Sequence, residues 1–139
     1  MSSIDNKALL VQAIQHFNTP LSRESYFDLY APDAKLHRSP NPLSGLESIK
    51  AFYRAYWAAF PDINLTIDAI LGEDDLVACA FEAHATHLGP FLDKTPSGRP
   101  VVYMGVTLLR FENLKCVERW SQTDMLSLLR QISSNTDLK

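Results

Sequence analysis

Hydrophobic positions change their spacing near the middle of this 139-residue chain. Before Pro61 they recur about every 3.6 residues, and after it about every two. Over residues 4–17, Ile4, Ala8, Val11, Ile14 and Phe17 follow the first period and predict an amphipathic helix. Ser3 is placed to cap it, and Asp5 suits its positive end. Pro20 ends this unit, and SRESYFDLY (22–30) reads as a second, short helix. APDAKLH gives a turn and a brief strand, and SPNP (39–42) a turn cluster. Ser44-Gly45-Leu46-Glu47 has the form of a capping box. Behind it Ile49, Phe52, Tyr53, Tyr56, Trp57 and Phe60 line one broad face of a long helix, which needs a sheet to cover it.

The second half predicts four strands: 63–71, 76–88, 101–111 and 115–124. In the first, Ile63, Leu65, Ile67, Ala69 and Leu71 share a side. GEDD (72–75) is a turn, 89–100 a Gly/Pro-rich loop, and MLSLLRQI (125–132) a terminal helix before a frayed tail at 133–139. Short connections make neighbouring strands antiparallel. The expected fold is α+β, a curved antiparallel sheet wrapped around the N-terminal helices in a single domain (1–139, core about 5–132). Such a wrap leaves a concave mouth suited to a small ligand.

The stretch WSQTDML places a carboxylate where the last strand leaves the core. With a tight turn at Asn113-Leu114, Asp124 faces Tyr103, Gln122 faces Gly105, and Trp120 faces Thr107. Glu118, Trp120, Gln122 and Asp124 then share a side with Tyr103, and His87 joins them from the preceding strand. Gly105, Ala83 and Ala85 are small enough to leave room beside Asp124. A one-residue bulge would exchange the faces of the hairpin. In such a pocket a desolvated Asp124 serves as general acid/base, Tyr103 as hydrogen-bond donor, and His87 as second acid or oxyanion donor. Asp124 equally suits the N-cap of the terminal helix, and the two roles are compatible. Trp120, Gln122 and His37 are candidate ligand contacts, and the aromatic helix face, core first, lends Tyr53 and Trp57 to the wall. His84 falls on the outer side, and His16 takes no role.

The composition, 46% hydrophobic and 21% charged, is that of a globular domain. A net charge of −3 without a basic stripe argues against nucleic acid. Cys79 and Cys116 read as buried thiols, and the histidines lack metal-ligand spacing, so neither metal nor cofactor is expected. No leader pattern or membrane span is evident, which makes the cytoplasm the default.

Several motifs stand in order: FPD (60–62), T-H-x-G-x-F (86–91), P-S-G-R (96–99), and Glu118, Trp120 and Asp124 in ERWSQTD. Together they resemble the SnoaL-like polyketide cyclase family, within the nuclear transport factor 2-like (cystatin-like) superfamily of cone-shaped α+β barrels. The resemblance spans about residues 5–132. It implies a cofactor-independent fold with an internal pocket, Phe91 at the pocket loop, and a homodimer. It implies Asp124 as the base that starts an intramolecular aldol ring closure, a lyase or isomerase type of reaction on a hydrophobic carbonyl compound. The sequence departs from the family at Asn113-Leu114-Lys115, at Asp93, and at Leu108 and Arg110, where polar partners of the aspartate are expected. A non-catalytic binding or dimerisation module of the same fold, or a hydrolase with an Asp124-activated water, are the alternatives.

Overall fold

The structure is a computed structural model and describes residues 2–38 and 41–133. Part of the turn expected at 39–42, and all of the expected tail except Ser133, lie outside these residues.

Helix α1 (Ser3–Phe17) is capped by Ser2 rather than Ser3, and its hidden face is Asn6, Leu10, Ala13, Ile14 and Phe17. That face is rotated from the expected one, because it buries Leu10 and leaves Ile4 in solvent. A 3-10 segment (Pro20–Leu29) follows where a short helix was expected, then β1 (Tyr30–His37) and the two-residue β2 (Leu43–Ser44). Helix α2 (Leu46–Ala59) carries the aromatic face. No capping box forms at its start. Ser44 is committed to pairing with Lys35, and Gly45, at φ 90°, takes the N-cap position while its N–H goes to the Ala34 carbonyl.

Strands β3 (Asn64–Glu73), β4 (Leu76–Thr86), β5 (Pro100–Glu112) and β6 (Lys115–Thr123) form an antiparallel meander, and α3 (Met125–Ile132) closes the described chain. The sheet runs β2-β1-β6-β5-β4-β3 and is not closed. It is not wholly antiparallel either, since β1 lies parallel to β6. These two strands are distant in sequence, so no hairpin dictates their direction.

Two bulges decide which side chains point inward. In β3 the register slips between Ile67 and Ala69, so Ile70 packs on the core and Leu71 turns to solvent. In the last hairpin Phe111 pairs with Cys116, but Arg110 pairs with Glu118. Val117 is the extra residue. Beyond it the expected faces are exchanged: Arg119 and Ser121 join Thr107 on the inner side, while Glu118 and Trp120 face outward.

The inner face packs on α1, the 3-10 segment and α2. Tyr53 and Trp57 meet Phe17, Tyr26 and Phe27 in one aromatic cluster, with Ile49 and Phe60 buried in the same core. The packing is incomplete at one place, and there the candidate site opens.

Candidate functional site

Arg119 lies where the chain would ordinarily place an apolar residue. The bulge at Val117 turns it inward, and only 8% of it is exposed. Its Nε donates to Thr107 Oγ1 (2.7 Å) and Ser121 Oγ (3.1 Å), and its Nη1 donates to Tyr26 Oη (2.6 Å) and Tyr30 Oη (2.7 Å). Nη2 has no hydrogen-bond partner among the described residues. Burial pushes the Tyr26 and Tyr30 hydroxyls well above their ordinary pKa, so both are neutral donors and acceptors and not counter-ions. Arg119 itself stays protonated.

This guanidinium borders a cavity of about 330 Å³, at the low end for small-molecule sites. Its walls are mainly apolar: Leu10, Ile14 and Phe17 of α1, Phe52, Tyr53 and Tyr56 of α2, Phe81 of β4, and Phe91 and Leu92 of the loop before β5. Gly105 keeps Phe81 in place, for a Cβ there would meet the Phe81 ring at 2.4 Å. The space expected beside Gly105 is therefore taken by that ring.

Polar groups on the walls are few. Tyr103 and Tyr56 hydrogen-bond to each other. Burial pushes Tyr103 up to about 12, so at neutral pH its hydroxyl stays protonated and can donate a hydrogen bond. Burial also raises the Cys79 thiol, which serves as a small apolar wall. Arg38 lines the cavity one inward step beyond Leu36, its guanidinium over the Phe52 ring at 5.0 Å, its Nε buried without a partner. Gln122 and Thr123 complete the β6 side. No aspartate, glutamate or histidine lines the cavity among the described residues.

The residues expected from the sequence divide accordingly. Tyr53, Tyr103, Phe91 and Gln122 line the cavity. Trp57 is spent in the core against Phe17, Tyr26 and Phe27. Trp120 and His37 stack on each other at 4.8 Å, and His37 Nε2 meets Glu118 at 2.9 Å, away from the cavity. Asp124 does not face Tyr103; its backbone N–H bonds the Met104 carbonyl. Its exposed carboxylate caps α3, accepting from Ser127 N–H at 3.1 Å. It nevertheless stands between Thr123 and Met125, both of which line the cavity.

His87 is fully buried but belongs to a clasp. Its Nδ1 accepts from the Ser97 N–H, its backbone N–H bonds the Arg99 carbonyl, and its carbonyl accepts from Gly98. Its ring packs on Phe60, which in turn packs on Phe91. Asp62 takes both the N–H and the hydroxyl of Thr86, and Leu88 and Gly89 donate to the Ala59 carbonyl. The FPD, T-H-x-G and P-S-G-R motifs thus pin the loop between β4 and β5 to the end of α2 and hold Phe91 against the cavity.

Sequence reasoning missed Arg119, because a bulge is a property of strand pairing rather than of local composition. One hint exists: an unbulged strand would put Glu118 inward beside Cys116, whereas the bulge lets it meet Arg110 and His37 outside.

A family model described as SnoaL-like polyketide cyclase matches residues 8–132. Among solved structures, AclR, a hydroxylase candidate from Streptomyces galilaeus, is 29% identical, with TM-score 0.86 over 94% of this chain and 97% of its own. A SnoaL-like polyketide cyclase candidate from Jannaschia sp. CCS1 is 22% identical, with TM-score 0.86 over 95% and 94%. IdmH, a polyketide cyclase candidate from Streptomyces antibioticus, is 25% identical, with TM-score 0.77 over 91% and 97%. A comparison with curated proteins gives no match.

Proposed function

This chain belongs to the SnoaL-like polyketide cyclase family, and on that premise we propose that it carries out cofactor-independent cyclase-type chemistry on a hydrophobic carbonyl compound held inside the cone. The observation that supports this most is the unpartnered Nη2 of Arg119 at a mainly apolar wall. A fixed cation there stabilises negative charge as it develops on a carbonyl oxygen, and a dry site strengthens the effect. Asp124 takes the proton from the carbon beside that carbonyl. The enolate carbon then bonds to a second carbonyl carbon, the new alkoxide takes a proton from Tyr103, and solvent restores that proton to Tyr103 and accepts the one held by Asp124. Asp124 has to leave its cap and turn inward to act as base, and leaving the cap costs about 1 kcal/mol; its chain neighbours Thr123 and Met125 line the cavity. A binding module is the second reading, favoured by the lack of any carboxylate on the cavity wall among the described residues. AclR and IdmH carry different reaction names on this fold, so the fold itself does not choose.

The test is deuterium exchange beside the carbonyl of a bicyclic ketone such as 2-tetralone, followed by NMR. The wild type is expected to accelerate it. Asp124→Ser keeps a good cap but no base, so it should hold stability within about 0.5 kcal/mol and lose roughly 100-fold in exchange rate. Full activity in the Ser variant would reduce Asp124 to a cap. No acceleration by the wild type across a ketone panel would leave the binding module.

A further inference from the structure

We infer that the cavity takes its ligand as an anion, with a carboxylate or enolate oxygen on Nη2 of Arg119 and an apolar ring system against Phe52, Tyr53 and Phe81. This rests on the proposed use of the same cavity and adds the charge of what enters it.

Arg119 is more than nine-tenths buried and has no carboxylate within ion-pair distance among the described residues. All four of its hydrogen bonds end on hydroxyl oxygens. Hydroxyls satisfy donors but cancel no charge. A buried ion left so carries a desolvation penalty, which a counter-charge in the cavity would relieve. The remaining donor, Nη2, is the one not held by protein.

Arg38 points the same way. It too makes no ion pair among the described residues, and its Nε is buried without a partner. In the β1–β6 register Leu36 lies opposite Arg119, so Arg38 follows two residues further along, about 7 Å by strand rise. Two cations and no anion border one apolar chamber, and low-dielectric walls focus that positive field on whatever occupies it. A neutral ketone would leave both cations uncompensated, whereas a carboxylate oxygen takes a charge-assisted hydrogen bond from Nη2.

The probes are 2-naphthoate and its neutral, equal-shaped amide, 2-naphthamide, titrated calorimetrically into the full chain at low ionic strength. The expected result is a preference for naphthoate of about tenfold or more. It should fall to near unity in Arg119→Met, survive in part in Arg119→Lys, and weaken in Arg38→Met. Circular dichroism establishes that each variant is folded; if Arg119→Met is not, the Lys and Arg38 variants carry the comparison. Equal binding of the two probes, no binding of naphthoate, or a preference that survives both Met substitutions would overturn the inference. Ketone exchange without anion preference would remove this inference and leave the catalytic reading. Anion preference without exchange would do the reverse.

Discussion

Arg119 and His87 are both buried polar residues, and they differ in what burial leaves undone. Arg119 cannot shed its charge, so its environment has to accommodate it. His87 can, and burial lowers its pKa below the ordinary value, with a backbone contact at Gly89 offsetting part of that. It is held as the neutral ring whose Nδ1 accepts from Ser97. The unfolded chain binds this proton first as pH falls, near pH 6.5. The stabilisation from neutral His87 is therefore complete above about pH 6.5 and is lost as pH falls toward the folded value. Urea unfolding between pH 7 and 5.5 should show stability declining with acid in the wild type. His87→Gln, which keeps an acceptor for Ser97 but does not titrate, should flatten that decline. Parallel profiles would mean that protonation of His87 does not loosen the clasp. His16, His37 and His84 are present in both proteins, so the difference isolates His87.

At the scale of elements, the last hairpin shows how one inserted residue reassigns a site. Its turn, Asn113-Leu114, has φ of 50° and 64°, the left-handed values of a two-residue hairpin turn. Asn tolerates this and Leu does not, at a cost of roughly 1–2 kcal/mol. Leu114→Gly should stabilise the protein by about 0.5–1 kcal/mol, because relief of strain outweighs the extra freedom of glycine in the unfolded chain. Thermal melting should rise by roughly 2–4 °C; an unchanged or lower midpoint would show that the left-handed Leu114 is not strained. The turn itself was legible in the sequence, as were the aromatic face of α2, the four-strand meander and the α3 boundary, since each follows from a local period or a local cap. The bulges at Asp68 and Val117 were not. Each exists because of pairing between strands, and each shifts the alternation of faces along the rest of its own strand. Tyr103, Phe91 and Tyr53 survived, being fixed by elements upstream of the slip, while Trp120 exchanged places with Arg119. The parallel β1–β6 pair was equally hidden, because a contact between strands this far apart in sequence leaves no mark in either segment.

At the scale of the whole molecule, an open sheet has to manage both its edges and its outer face. Where β6 ends, the free side of β5 is covered from α3: the Gln131 amide donates to the Val102 carbonyl and accepts from its N–H, as a further strand would. The outer face of β5 is left bare. Val102, Met104 and Val106 are 45%, 57% and 57% exposed, although β5 lies in the interior of the sheet. Ala80 stands opposite Val106, and Glu82 and His84, bonded at 2.7 Å, flank the strip on β4. No described helix crosses this strip. A second copy of the same face would supply a matching apolar strip under two-fold symmetry, so a homodimer through this face is a testable expectation. Symmetry also makes the test sensitive, since one substitution near the axis is felt twice. Met104→Glu would bring two carboxylates into an apolar contact, and weakening by about 2–3 kcal/mol, or roughly 30- to 150-fold in dimer affinity, is expected. Light scattering on a size-exclusion column at micromolar concentration should give a dimer for the wild type and a monomer for this variant, while the far-ultraviolet spectrum stays unchanged. Because Met104 points away from the cavity, naphthoate binding should persist in the monomeric variant. A monomeric wild type, or a dimer indifferent to Met104→Glu, would mean that the strip is simply solvated and that any pairing of copies uses another surface.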